Sequence, residues 1–187
     1  MMRLAWLAVL AVLLASPLAS NVARAEDQPA DDEATTDEAP DPWIGCWARV
    51  YDSAHLAKHP GQKVTALALS IGTRTPSGDS DPGPYAAKLA GKFRDKTDNY
   101  VMPSGGRCVV TGTAKDHLSC VTDGFFVGKF ELQPAAKNMK IMLQGSDEHI
   151  ALVPGVDTAS FVLLSPDNPE HALFVLNPAP AKSCGQE

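Results

Sequence analysis

The sequence predicts an all-β fold: a single antiparallel β-barrel or sandwich of about eight to ten short strands with one short helix. Three observations carry that prediction. Short apolar runs are separated by Gly, Pro, Asn and Asp clusters at a spacing of about 8–12 residues, as in all-β domains. No long stretch repeats its apolar residues with a period near 3.6, which argues against a helical bundle. The cysteine spacing also places two of the four cysteines opposite each other in a hairpin.

The chain begins with an address and a spacer. Arg3 supplies a short positive region, residues 4–15 are unbroken apolar, and Pro17 and Ser20 interrupt them. Ala23-Arg24-Ala25 then fits the small-x-small cleavage rule, so residues 1–25 read as an export signal. The apolar run is shorter than the ~20 residues a permanent membrane helix needs, so no integral membrane segment is expected after cleavage. The expected location is periplasmic or secreted. Residues 26–41 hold eight acids, no base and two prolines, the composition of a disordered acidic linker.

That linker changes the meaning of the net charge. The whole chain has 16 bases and 22 acids, a formal charge of −6. Setting aside Arg3 and Arg24 leaves 14 bases, and setting aside the eight linker acids leaves 14 acids. Residues 42–187, the expected β-barrel-like domain, are therefore neutral as a whole. A neutral domain offers no electrostatic footprint for nucleic acid or an anionic membrane surface.

Residues 43–51 form the first expected strand. Trp43, Gly45, Trp47, Arg49 and Tyr51 fall on one side, with Ile44, Cys46, Ala48 and Val50 on the other. Residues 52–59 read as a short helix, N-capped by Asp52 and stopped by Pro60. In residues 63–71 Leu67, Leu69 and Ile71 alternate with Ala66, Ala68 and Ser70, and residues 72–84 are turn-formers almost throughout. Strands follow at 85–93, in a hairpin around residue 114, and at 125–133, 139–143, 149–153, 160–164 and 172–176. Leu67, Leu69, Phe126, Phe130 and Phe161 are the expected interior side chains.

Four cysteines in an exported chain point to two disulfides. A hairpin symmetric about Ala114 sets residue 110 opposite 118 and Cys108 opposite Cys120, close enough to bridge. Cys46 is then left for Cys184, tying the first strand to the tail.

The chemistry-bearing motifs are few. His55 and His59 stand at i and i+4 on the short helix, the spacing with which two imidazoles reach one metal ion. They are the candidate metal ligands; the competing reading is a pair of surface histidines near a helix C-terminus, where positive charge is favoured. Asp147-Glu148-His149 sets a carboxylate beside an imidazole, but strand neighbours face opposite ways. Asp79-x-Asp81 opens like a calcium loop, yet Gly83 and Ala90 stand where oxygen ligands are needed. Met139 and Met142 fit a core better than a copper site. No nucleophile elbow, zincin, Walker or dinucleotide motif occurs, and no cofactor is expected.

Gly45-Cys46-Trp47 at the head of an all-β exported domain resembles the opening of the lipocalins and the wider calycin group. There, such a glycine and tryptophan begin the first barrel strand. Small bacterial inhibitors of secreted proteases share that opening. Thr97-Asp98-Asn99-Tyr100 is similar to a second lipocalin motif, with its tyrosine earlier. The late arginine of that family has no counterpart, since no arginine follows Arg107. The resemblance implies a non-enzymatic exported binding protein, taking a small apolar ligand or, in the manner of an inhibitor, a protein partner. Trp47, Tyr51, His55 and His59 are its candidate partner-binding residues. The alternatives are a small metal-dependent enzyme using His55 and His59, and a structural envelope protein.

Overall fold

The first strand, β1 (Gly45–Val50), is zipped on one side to β2 (Val64–Thr73) and on the other to β11 (Leu173–Pro178), the last strand of the chain. This computed structural model describes residues 41–75, 83–122, 128–143, 145, 149–155 and 160–185. The expected export signal, residues 26–40 of the expected linker, residues 76–82 of the 72–84 loop, and Phe126 lie outside them.

The remaining strands are β3 (Tyr85–Phe93), β4 (Tyr100–Val101), β5 (Gly106–Thr111), β6 (His117–Thr122), β7 (Lys129–Ala135), β8 (Asn138–Met142), β9 (Ile150–Pro154) and β10 (Val162–Leu164). Neighbouring strands pair antiparallel in the order β3-β2-β1-β11-β8-β7-β6-β5, and β5 returns to β3. The result is a closed eight-strand antiparallel barrel. The three extra strands continue from β3 in the order β4-β9-β10.

This arrangement follows from a division within β3. Tyr85, Ala86 and Ala87 pair with β5, while Ala90 and Gly91 pair with β4. The barrel wall therefore parts along the second half of β3, and β9 crosses the gap. Residue 149, just before β9, sits so close to Gly128 that a Cβ there would lie 2.0 Å from its carbonyl oxygen. At the other end of β9, Val153 pairs with Val101. Ile150, Ala151, Leu152 and Val153 are all buried, so this strand is covered on both faces. A Cβ on Gly91 would lie 3.3 Å from Leu152 and 3.4 Å from Leu67, which shows why β3 thins to glycine under the crossing strand.

The interior is packed with side chains. Leu69, Leu118, Phe130, Leu132, Ile141 and Leu176 have no accessible surface, and Leu67, Ile71 and Phe174 have 1%. Phe161 departs from expectation: it is 52% exposed, because it precedes β10 at the outer edge of the extension rather than in the barrel wall. Met139 is buried, whereas Met142, three residues on, turns to the half-buried outer side. Val64 is also buried, although alternation placed it with Ala66; a bulge between the two shifts the phase of β2 by one residue.

Both disulfides join the expected partners. Cys108 faces Cys120 in the β5–β6 register and both are fully buried. Cys46, on the outer side of β1, is bonded to Cys184 in a 3-10 turn (Ala181–Cys184). Two disulfides fit an oxidising compartment. Among the described residues no helix is long and apolar enough to cross a membrane.

Candidate functional site

The helix α1 (Ser53–Lys58) leaves β1 as its capping residues dictate. Asp52 accepts a hydrogen bond from the His55 backbone N–H at 2.7 Å, and Pro60 stops the helix soon after His59. Its far end is held by Arg94, whose guanidinium donates to the carbonyls of Leu56, His59 and Gln62 at 2.5, 2.9 and 2.8 Å. The Leu56 carbonyl is one that the helix end leaves without an intrahelical partner, and the His59 and Gln62 carbonyls belong to the turn that follows.

The i, i+4 spacing stacks the His55 and His59 rings, with centroids 4.3 Å apart and planes inclined by 21°. Tyr51 stacks next, 4.9 Å from His55, and Arg49 lies 4.7 Å from the Tyr51 ring centre while donating to the Val175 carbonyl. His55 Nε2 pairs with Gln62 Oε1 at 3.1 Å, and His59 Nδ1 pairs with Glu170 at 2.9 Å. Glu170 belongs to a 3-10 turn (Pro169–His171) capped by Asn168, whose side-chain amide also donates to the Gly61 carbonyl. Among the described residues no group of three His, Cys, Asp or Glu is placed to hold a metal ion. One ring nitrogen of each histidine is already engaged, and the near-parallel rings direct their in-plane lone pairs side by side.

Burial separates the predicted site residues. Trp47 and Tyr51 belong to the core at 8% and 7% exposure, whereas His55 and His59 are half-buried at the surface. Gly45 explains its own place beside the tryptophan: a Cβ there would lie 3.0 Å from the Trp47 indole. Burial pushes the Tyr51 phenol up, with Arg49 opposing, and burial pushes the His171 imidazole down. Tyr85 is pushed up chiefly by its 2.7 Å hydrogen bond to Asp41, which fixes the chain where it enters the barrel.

A second feature lies on the outer wall. Two clefts of about 630 and 570 Å³ share Ala68, Ala90, Val101 and Cys184, and so form one furrow. Its floor is the outer side of β1, β2 and β3, where register aligns Ala48, Ala68, Ala90 and Val101 across four strands. The disulfide-bonded tail at Ser183–Gly185 flanks it on one side and the chain from Asn99 to Gly106 on the other. The sequence did not show this furrow: alternation in residues 63–71 set Ala66, Ala68 and Ser70 apart from the leucines, but residues 85–93 were given no faces. What it lacked was the pairing of β2 with β3, which turns two alternating runs into one surface.

The eight-strand antiparallel barrel is compatible with a lipocalin-like shape. Comparison with protein-family models, with curated proteins and with solved structures returned no match to this chain.

Proposed function

We propose that this chain is an exported binding protein that performs no chemistry and holds a protein partner against the outside of its barrel. One observation carries the reading: the side chains that would line an interior ligand cavity have almost no accessible surface, while the clefts lie on the outer wall. A hollow large enough for an apolar ligand would leave its lining open to a water-sized probe. Val50, which lines the furrow, is 80% exposed and adds apolar surface to it. The resemblance of Gly45-Cys46-Trp47 to the opening of lipocalin-like barrels, small bacterial protease inhibitors among them, supports the same reading. A secreted hydrolase is one class of partner it would serve.

The test uses the full chain and its Ala68→Arg variant. Ala68 lies at the centre of the furrow floor, so an arginine there blocks the furrow without entering the core. A protein captured from periplasmic or culture extract by the native chain, and lost with Ala68→Arg at unchanged melting temperature, supports the reading. Capture indifferent to that substitution, or a small molecule retained by the native chain in native mass spectrometry, overturns it.

A further inference from the structure

We infer that the furrow receives an extended polypeptide segment carrying two carboxylate side chains four residues apart, with small side chains between them. This deepens the outer-wall reading and rests on it.

The floor sets the first requirement. Strands in a sheet lie ~4.8 Å apart, so the row from Ala48 to Val101 is a lane of small side chains ~14 Å across. The backbone groups of β1, β2 and β3 are spent in their ladders on both sides. The floor therefore offers no hydrogen bonds. The uncharged hydroxyls of a sugar chain would lose water there without compensation, whereas small aliphatic side chains would not.

Charge sets the second. Lys88 and Lys92 project from the same outer side of β3, opposite Ser70 and Ala66, and both are exposed. Neither makes an ion pair among the described residues. Among the described residues no Asp or Glu lines either cleft. The neutral total of residues 42–187 thus hides a local cationic stripe. At ~3.3 Å per residue, Lys88 and Lys92 are separated by ~13 Å, the spacing of positions i and i+4 in an extended segment running beside β3. A second copy of this face would set lysine against lysine, which disfavours self-association there.

The probe is a labelled ten-residue peptide with two glutamates four residues apart and alanine or threonine elsewhere. It is titrated with the full chain and followed by fluorescence anisotropy. Saturable binding is expected, weakened about tenfold or more in Lys88→Gln/Lys92→Gln and by raised salt, and kept in Lys88→Arg/Lys92→Arg. Equal binding of the glutamine version of the peptide, or undiminished binding by the Lys→Gln variant, overturns the inference. So does binding that appears only when the seven acids from Glu26 to Glu38 are changed to amides, because the chain's own acidic segment is then the occupant. No peptide binding, with partner capture still lost in Ala68→Arg, overturns the acidic segment and leaves the outer-wall reading standing.

Discussion

Replacing both cysteines of the tail bridge, Cys46→Ser/Cys184→Ser, isolates what the C-terminal tail contributes to stability. The bridge spans 138 residues, against 12 for Cys108–Cys120. In the chain-entropy treatment, loops of those lengths are worth about 5 and about 2.8 kcal/mol at room temperature. Cys46 lies on the outer side of β1 and Cys184 is half-buried, so their removal leaves no cavity in the core. The loss should be almost wholly an unfolded-state effect. Unfolding entropy is about 2.1 cal/mol/K per residue, or roughly 0.3 kcal/mol/K for residues 41–185, so 5 kcal/mol corresponds to about 16 °C of melting temperature. Urea unfolding followed by the fluorescence of the buried Trp43 and Trp47 measures it directly. The unfolded chain, freed of its largest loop, should also expose more surface and give a steeper denaturant slope. A loss below about 1 kcal/mol, with the barrel's circular dichroism intact, would refute the reasoning: the tail would not then constrain the unfolded ensemble.

Other substitutions read the remaining features. Arg94→Met removes three donors from the end of α1 and should cost about 2–3 kcal/mol by thermal melting, with amide exchange rising first in residues 53–62. Gly45→Val drives a side chain into the Trp47 indole and should cost about 1–3 kcal/mol in urea. His171 is held neutral by burial, its pKa lying below the ordinary 6.5, with Glu170 pulling it up and Lys63 pushing it down. The unfolded chain therefore takes up a proton that the folded chain resists. This contribution is complete above about pH 6.5 and is lost as the pH falls from there toward the lowered folded value. His171→Phe should flatten that part of a urea-midpoint profile, and an unchanged profile would refute the assignment. Because no third His, Cys, Asp or Glu among the described residues is placed to complete a site with His55 and His59, zinc should leave the melting temperature unchanged. A zinc-dependent rise that His55→Ala abolishes would restore the metal site.

The parts legible in the sequence were those fixed by local geometry. The β5–β6 hairpin could be folded on paper, because symmetry about Ala114 decides which residues meet, and Cys108 does face Cys120. Asp52 named its own helix start, since an N-cap is a contact between near neighbours. Illegible were the features that depend on distant pairing. β4 has two residues, too few to show a period, yet it links β3 to β9. Phe161 has the character of a core residue, and only its position at the edge of the extension leaves it exposed. The histidine pair was visible as a spacing, but its partner Glu170 arrives from 111 residues away. The furrow was hidden for the same reason: no single strand contains it.

The strand across the barrel mouth also sets a clock. β9 lies in the connection between β8 and β11, and β11 is the strand that closes the barrel on β1. The lid and the final wall are therefore consecutive parts of one stretch of chain, locked behind by the Cys46–Cys184 bond. Parting β11 from β1 opens the barrel only as far as the Cys46–Cys184 bond allows. Opening of the barrel on this side is thus part of unfolding, whose rate for small domains runs from sub-second to days. On the reading proposed above, a partner on the outer wall is met without any such opening.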